Sequence, residues 1–371
     1  MKVLILGSTG YVGMMLMRIL AGHPEVTGIV PVSRGSAGKP VLEVDPGMGT
    51  ASARLFTATG GRYVTSEEGS ASQADVVFSA LPHGAAAELI GPYVGSVPVI
   101  DLSADFRITD LDRYESVYQT KHPYPELLSH AVYGLTEWHR EEIATASIVA
   151  CPGCYPTATL LPLLPFTDVV EAPAIVNAQS GISGAGRKER QDLLFNERSE
   201  NMNAYNPGRV HRHVPEIEQE LARKASSCST SEESTAVDSS PEGSSGSSRT
   251  ADGGALEILF TPHLVPVKQG MIVTTVARLH TPLTQQEAEE RLREAYADSP
   301  FVGLSPRGIP QSRDVRNTNR CDLGVAVHEG HLQLFSSLDN LYKGASGQGV
   351  QNMNVRMGLD ETLGLRTSGE F

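Results

Sequence analysis

The sequence predicts an α/β fold in which a parallel-sheet domain is followed by a second, α+β domain with a mixed or antiparallel sheet. In the first half, short β-branched runs alternate with helical stretches, which is typical of a parallel sheet with right-handed crossovers. After Cys154 the apolar runs become longer and alternate with polar residues, as antiparallel strands do. The 371 residues are enough for two domains of ordinary size.

The individual elements follow from the apolar pattern. In the first half we predict strands at 2–6, 26–32, 74–80, 97–102 and 147–150, and a helix at 11–21. In the second half we predict strands at 258–261, 271–279, 323–327 and 332–337, and helices at 285–296 and 347–359.

Residues 226–254 do not belong to either core. The segment is rich in serine and acidic residues, and Val237 is its only large aliphatic residue. Such a composition does not offset an ordering entropy of about 1–2 kcal/mol per residue. We therefore expect a disordered insert in a surface loop of the second domain, and a solvated linker is favoured over a phosphorylated regulatory tail.

Charge and composition exclude several classes of protein. Lys plus Arg is 30 against 43 for Asp plus Glu, a formal net charge of −13, which argues against a nucleic-acid partner. No apolar run approaches the roughly 20 residues that span a bilayer, and no signal peptide is predicted. Four cysteines are too few for a disulfide-built secreted scaffold, so we expect a cytoplasmic protein without membrane association.

The glycine-rich segment at 7–13 follows a predicted strand and opens a predicted helix. Glycine allows the tight turn and the close approach of a pyrophosphate, whose charge then lies at the helix N-terminus. The spacing is GxxGxxG rather than the commoner GxGxxG, and a tight turn that binds nothing is the alternative.

The end of the second predicted strand distinguishes the two dinucleotides. An NAD site places a carboxylate there to bind the ribose 2′-hydroxyl. Here Ser33 and Arg34 follow the strand, and a hydroxyl with a guanidinium suits a 2′-phosphate. The pattern favours NADP over NAD, unless Arg34 is only a solvated loop residue.

Cys154 is the predicted nucleophile. A buried strand ends in a Pro-Gly turn, and Cys154 lies where a helix should begin, so the free N–H groups of the helix would stabilise a thiolate. A Cys151–Cys154 redox pair and half of a zinc site are alternatives, but the thioredoxin context and a second ligand pair are both missing. Cys151 is interpreted as a small core residue, and no metal is predicted.

His211 and His213 flank an arginine just before a helix predicted to start near Pro215. An imidazole titrates near neutral pH, so it can accept the thiol proton and later protonate an oxyanion.

Residues 180–188 combine hydroxyls, glycines and two cations that could bind a phosphate or carboxylate. Residues 101–107 leave the carboxyl end of a predicted strand, where open parallel sheets bind ligands. For both segments an ordinary loop is the alternative.

Together these residues resemble the N-acetyl-γ-glutamyl-phosphate reductase family, a member of the aspartate-semialdehyde dehydrogenase-like superfamily. The matching motifs are GSTGYVG (7–13), LPHG (81–84), DLSADFR (101–107), PGCYPT (152–157), SGISGAGR (180–187), HRHVPEIEQ (211–219) and DNLYKGASGQ (339–348). They extend over nearly the whole chain apart from the serine-rich insert. The cysteine and histidine motifs together are specific, whereas the glycine motif alone is not.

The resemblance implies a Rossmann-type NADP(H)-binding domain formed by 1–153 with 338–371, and a catalytic and dimerisation domain at 154–337. It places the catalytic cysteine at Cys154 and the acid/base histidine at His213, which we favour over His211. The implied cofactor contacts are Gly7, Ser8, Thr9, Gly10, Tyr11, Val12, Gly13, Ser33, Arg34, Leu81, Pro82, Asn340 and Gly344. The candidate substrate contacts are Arg107, Ser183, Arg187 and His211.

The implied reaction is the NADPH-dependent reduction of an acyl phosphate, N-acetyl-γ-glutamyl phosphate, through a thioester on the cysteine, with release of inorganic phosphate. The resemblance also implies a homodimer or homotetramer. Three alternatives stay open: a reductase of aspartyl or carrier-linked aminoadipyl phosphate, a non-catalytic NADP-binding sensor, and a redox protein that uses Cys151 and Cys154.

Overall fold

The structure is a computed structural model that describes residues 1–70, 73–232 and 256–369. Its first sheet has six strands in the order β2-β1-β3-β4-β6-β5, and every neighbouring pair is parallel. These strands are β1 (Lys2–Leu6), β2 (Gly28–Val32), β3 (Val76–Ser79), β4 (Val99–Asp101), β5 (Ala131–Tyr133) and β6 (Ile148–Ala150). The helices between them are α1 (Tyr11–Ala21), α2 (Val41–Val44), α3 (Ser66–Ser70), α4 (Ala86–Ile90), α5 (Leu111–Tyr118) and α6 (Thr136–Thr145).

The second sheet has seven strands and is mixed. Its strands are β7 (Val170–Gly181), β8 (Asn203–Ala204), β9 (Ile258–Val265), β10 (Met271–Leu279), β11 (Val302–Leu304), β12 (Cys321–His328) and β13 (His331–Leu338), in the order β11-β12-β13-β10-β7-β9-β8. Four of its pairs are antiparallel, whereas β7–β9 and β11–β12 are parallel.

Five further α-helices complete the described chain: α7 (Cys154–Leu163), α8 (Phe195–Arg198), α9 (His213–Glu232), α10 (Gln285–Ala295) and α11 (Gly347–Arg356). A π-helical turn, Tyr342–Ser346, precedes α11. Short 3₁₀ helices lie at Pro46–Met48, Thr50–Thr59, Gly91–Tyr93, Pro125–His130, Leu164–Phe166, Ile182–Ala185, Gln191–Leu193 and Ser312–Asp314.

The pattern of buried residues shows how each of the two sheets packs. In β1 the residues Val3 to Leu6 are at most 1% exposed, as expected for a parallel strand covered by helices on both faces. In β10 buried and partly buried residues alternate, so only one face of the second sheet packs on a core. Val350 and Met353 of α11 share a buried apolar cluster with Val3 and Leu16, so the end of the chain packs against the first sheet.

The predicted fold class is confirmed, and the differences concern individual elements. The sequence analysis missed β5, β8 and β11, which have two or three residues each, and β7, which contains Glu, Pro, Asn and Gln that are poor strand formers. The predicted strand at 26–32 begins later, at Gly28, and the predicted helix at 347–359 ends earlier, at Arg356.

The predicted disordered insert overlaps a helix at its beginning. Helix α9 continues to Glu232, so the expectation of an insert starting at residue 226 is wrong for its first residues. The remainder, 233–254, lies outside the described residues.

Candidate active site

One edge of the first sheet gathers the predicted motifs. The carboxyl ends of β1 and β3 lead into Gly7 and Leu81, and the neighbouring ends of β4 and β6 lead into Ser103 and Cys154. Because all these strands are parallel, their carboxyl ends lie along the same edge, where open α/β sheets bind ligands.

The glycine loop at 7–13 connects β1 to α1 in a tight turn. Gly7 has φ +80°, and a Cβ there would lie 2.6 Å from the carbonyl oxygen of Ala80. A Cβ on Gly13 would overlap the carbonyl oxygen of Gly7. Around Gly10, in contrast, the nearest atom would lie 3.7 Å from a Cβ. The first and third glycines therefore close the turn, and the middle one leaves the backbone open to a ligand.

The start of α1 provides the donors that a pyrophosphate needs. Gly10 caps the helix, so no side chain accepts from the N–H groups of the first turn. At the end of β2, Ser33 Oγ lies 2.9 Å from Thr9 Oγ1, and Arg34 is exposed. No carboxylate occupies residues 33–39. These residues fit a dinucleotide with a 2′-phosphate.

Cys154 is the first residue of α7 and lies in contact with the C-terminal motif. A Cβ on Gly344 would lie 2.7 Å from the Cβ of Cys154, so glycine at 344 makes room for the cysteine. The same π-helical turn reaches α1, since Ser346 Oγ donates to the carbonyl of Val12 at 2.9 Å. The turn therefore links the cysteine to the glycine loop.

Burial is the main influence on the ionisation of the Cys154 thiol. Burial raises the pKa of Cys154 to about 11, although the Arg107 guanidinium and the N–H of Tyr155 act in the opposite direction. The predicted stabilisation by the helix start acts in the expected direction, but desolvation outweighs both the helix and the cation. A base must take the proton when the thiol reacts.

His213 is placed to be that base. A Cβ on Gly153, the residue before Cys154, would lie 2.6 Å from His213 Nε2 and 3.0 Å from Arg107 Nη1. Burial, followed by the charges of His211 and Arg107, lowers the pKa of His213 well below its usual value. The imidazole is therefore neutral near pH 7 and able to accept a proton. Helix α9 begins at His213 itself, two residues before the predicted start.

His211 has a different environment. Its Nδ1 accepts from the N–H of His213 at 3.2 Å, which leaves the ring proton on Nε2. Burial and the charge of Arg212 lower the pKa of His211 to about 4. His211 is therefore a neutral donor. The rings of His211 and His213 meet edge to face, with their centres 4.8 Å apart.

Glu216 connects the cysteine turn, the histidine helix and Arg107. This carboxylate has no solvent exposure, and its Oε1 accepts from the N–H of Gly153 at 2.9 Å and from Tyr133 Oη at 2.8 Å. Its Oε2 lies 3.5 Å from Arg107 Nη1. Sequence reasoning missed Glu216, although its position three residues after His213 puts both on one face of α9.

A cavity of about 640 Å³ brings most of these groups together. It is lined by Cys154, His211, His213, Arg107, Leu81 and Pro82 from the predicted set, and by His83, Tyr118, Tyr155, Ser180, Tyr205 and Arg212, among others that were not predicted. The only signal for the unpredicted residues was their place inside quoted motifs or beside them.

Ser183, Arg187 and Asn340 are among the predicted residues that do not line the cavity. Arg187 is exposed and donates to the carbonyl of Thr9 at 2.8 Å, so it lies against the glycine loop. Asn340 Oδ1 accepts from the N–H of Gly270, and its Nδ2 donates to Ser183 Oγ at 2.9 Å. Ser183 and Asn340 therefore join the end of β7 to the C-terminal motif and do not line the cavity.

Asp105 explains much of the motif at 101–107. Its carboxylate accepts from the N–H groups of Gly84, Ala86 and Ala87 at 2.7–3.1 Å. It thereby fixes the loop after β3, which carries Leu81 and His83 into the cavity wall.

Residues 1–70, 73–232 and 256–369 contain neither a candidate metal site nor a candidate membrane-spanning helix. No group of three or more His, Cys, Asp or Glu side chains among them could hold a metal ion. Within the same ranges no helix has the length and apolarity needed to cross a membrane.

Known families match both parts of the chain. Residues 2–146 match the family "Semialdehyde dehydrogenase, NAD binding domain". Residues 154–235 and 240–340 match "Semialdehyde dehydrogenase, dimerisation domain".

Curated relatives and solved structures agree with these families. The N-acetyl-gamma-glutamyl-phosphate reductase of Geobacter sp. (strain M21) is 42% identical, covering 98% of both chains, and that of Saccharophagus degradans is 40% identical, covering 98% of this chain and 97% of the relative. Vibrio cholerae aspartate semialdehyde dehydrogenase II has the same fold, with a TM-score of 0.63 at 18% identity over 96% of this chain and 98% of that one. Aspartate semialdehyde dehydrogenase with NADP from Candida albicans has a TM-score of 0.61 at 16% identity, over 96% and 99%. The chain therefore belongs to the N-acetyl-gamma-glutamyl-phosphate reductase family, built from the NAD-binding and dimerisation domains of semialdehyde dehydrogenases.

Proposed function

We propose that the protein reduces N-acetyl-γ-glutamyl phosphate with NADPH, giving N-acetylglutamate 5-semialdehyde and inorganic phosphate, in arginine biosynthesis. The observation that carries the proposal is the cavity in which Cys154, His213 and Arg107 meet, at the sheet edge that also holds the glycine loop. The names of relatives about 40% identical over nearly the whole chain supply the substrate.

Cys154 is the nucleophile of this proposal. Its sulfur attacks the acyl carbon, the C–O bond to phosphate breaks, and a thioester forms on the cysteine. Since burial raises the pKa of the Cys154 thiol to about 11, His213 accepts the thiol proton as the S–C bond forms. A sulfur nucleophile suits the reaction because it attacks readily and is later expelled readily, which divides one difficult step into two.

Arg107 stabilises the charge that the reaction moves. Its guanidinium lies near the turn before Cys154, where a Cβ on Gly153 would approach both Arg107 and His213. We assign it to the departing phosphate, since a planar guanidinium binds phosphate oxygens in pairs. In the same cavity, the Nε2–H of His211 donates to an acceptor on the substrate. Glu216 keeps Arg107 and the Gly153 N–H in place.

The residues at the end of β1 and β2 would hold NADP(H). The open backbone at Gly10, the uncapped start of α1, Ser33 and the exposed Arg34 are the groups that suit a pyrophosphate and a 2′-phosphate. Bound NADPH supplies the hydride that reduces the thioester. His213 then returns its proton as the aldehyde is released and the cysteine is regenerated.

Arg187 is better assigned to the glycine loop than to the substrate, because it is hydrogen-bonded to Thr9. Asn340 and Gly344 act on the same region through packing, with Gly344 against Cys154.

We further propose a cytoplasmic homodimer or homotetramer, supported by the match to a dimerisation domain. The domain division at residues 153/154 and 337/338 remains part of this proposal.

The test is the reverse reaction, the reduction of NADP⁺ with N-acetylglutamate 5-semialdehyde. The formation of NADPH is followed through its absorbance at about 340 nm. We expect turnover that requires inorganic phosphate and that is much slower with NAD⁺ or with aspartate semialdehyde. A preference for aspartate semialdehyde would identify a different acyl-phosphate reductase. Cofactor binding without turnover of any semialdehyde would favour a sensor, and a reversible Cys151–Cys154 disulfide would favour a redox protein.

A further inference from the structure

The cavity contains a second cationic position besides Arg107. Three arginines line it: Arg107, Arg190 and Arg212. Arg107 faces Glu216, and Arg190 binds Asp192 through two hydrogen bonds of 3.0 and 2.6 Å. Among the residues that the structure describes, no carboxylate lies within 4.0 Å of the Arg212 guanidinium. Arg212 is thus the lining arginine whose charge the protein leaves uncompensated.

Aromatic side chains from the first domain hold Arg212 at the rim. Its Nη1 lies 2.9 and 3.0 Å from the two ring nitrogens of His83, and its Cζ lies 5.9 Å from the centre of the Tyr118 ring. The rings of His83 and Tyr118 are themselves 5.6 Å apart. Burial, together with the Arg212 charge, lowers the pKa of His83, so the neutral imidazole adds no second charge. These contacts hold one guanidinium in the cavity wall.

The two cations lie at different depths. Arg107 is 7% exposed and approaches the residue before Cys154, whereas Arg212 is exposed at the rim. The charge of Arg107 acts on the Cys154 thiol and on His213, while that of Arg212 acts on His213, His211 and His83 but is not among the leading influences on the pKa of Cys154. A ligand that reacts at the sulfur can therefore bind Arg107 near its reacting end and Arg212 at its other end.

We propose that Arg212 binds the α-carboxylate of the substrate and determines that the enzyme accepts acyl phosphates carrying a second anionic group. The inference rests on the proposed function, in which the substrate has a phosphoryl group at one end and a carboxylate at the other. The phosphoryl group must lie beside the sulfur and thus near Arg107, which leaves the carboxylate for the rim. A guanidinium without a protein carboxylate is available for a paired hydrogen bond with this group.

The test combines an enzyme variant with a substrate variant. In Arg212→Gln we expect kcat/KM for N-acetylglutamate 5-semialdehyde, measured with NADP⁺ and phosphate, to fall about tenfold to a hundredfold. For 4-acetamidobutanal, the same aldehyde without the α-carboxylate, the wild-type value should already be low and the variant should change it less than about twofold. The KM for NADP⁺ should stay the same.

Arg209→Gln is the matched control. Arg209 lies in the same segment, but it binds Glu218 and Glu257 and does not line the cavity. We expect its ratio of kcat/KM for the two aldehydes to equal that of the wild type. An equal loss for both aldehydes in Arg212→Gln, or a change confined to the KM of NADP⁺, would overturn the proposal. Lack of phosphate-dependent turnover in the wild type would instead refute the proposed function itself.

Discussion

Cys151 and Cys154 lie three residues apart in the chain, but only Cys154 of the two lines the cavity. Cys151 is 1% exposed, its Sγ is 3.4 Å from Asn352 Nδ2, and burial raises its pKa to about 12. Cys154 lines the cavity and begins α7. The turn at 152–153 carries the chain from the sheet core to the ligand side of the sheet edge. Access to the cavity, rather than thiol chemistry, thus distinguishes the proposed nucleophile Cys154 from the core residue Cys151.

The largest expected effect comes from removing each thiol in turn. Cys154→Ser should lower the reductase rate at least about a thousandfold, because a hydroxyl is a much weaker nucleophile than a thiolate. Cys151→Ala should retain activity and lose about 1–2 kcal/mol of unfolding free energy from a small buried void. Steady-state rates measure the activity of both variants, and thermal unfolding measures their stability. Equal losses of activity in the two variants would contradict the distinction.

A smaller effect is expected from changing Glu216, the carboxylate that accepts from the N–H of Gly153. Glu216→Gln keeps an acceptor for the Gly153 N–H but leaves the Arg107 charge unbalanced. We expect kcat to fall about tenfold to a hundredfold and the labelling rate of Cys154 by a thiol reagent to change. Cys151 should remain unlabelled.

Glu220→Gln is the control for this change. Glu220 lies one turn further along α9 and binds His139 at 2.9 Å, away from Gly153. Its loss should affect stability and leave Cys154 labelling as in the wild type. If both variants altered labelling equally, Glu216 would be only part of the general support of the helix.

The smallest effect concerns the ionisation of the free enzyme. Since the pKa of Cys154 is about 11, the thiolate fraction, and with it the alkylation rate, should rise with pH from neutrality toward pH 11. The Arg107 charge lowers this pKa, so Arg107→Met should raise it and slow alkylation at pH 8 by about threefold to tenfold. Alkylation that saturates near pH 7 would show that the helix N-terminus dominates after all.

Local patterns in the sequence predicted the sheet edge well. The apolar run of β1, the glycine turn and α1 are adjacent in the chain, and their bounds were predicted as the structure has them. Cys154 was placed at a helix start for the same reason, since the strand, the turn and the helix follow one another directly.

Contacts between distant segments could not be predicted in this way. Glu216 meets Gly153 and Tyr133 across 63 and 83 residues, and no local pattern records such a meeting. Arg187 lies in a loop rich in hydroxyls and glycine that suits a substrate anion, but the folded loop directs it to Thr9. The ionisation of Cys154 depends on burial as well as on the helix start, and burial is a property of the assembled cavity.

The π-helical turn at Tyr342–Ser346 contacts Cys154 through Gly344 and the glycine loop through Ser346. These residues follow both Cys154 and the glycine loop in the chain, so they are translated after both. A chain that stops before residue 339 contains both predicted catalytic residues, Cys154 and His213, but lacks the turn that links Cys154 to the glycine loop. Premature termination should therefore yield an inert product, even where the first sheet has already formed.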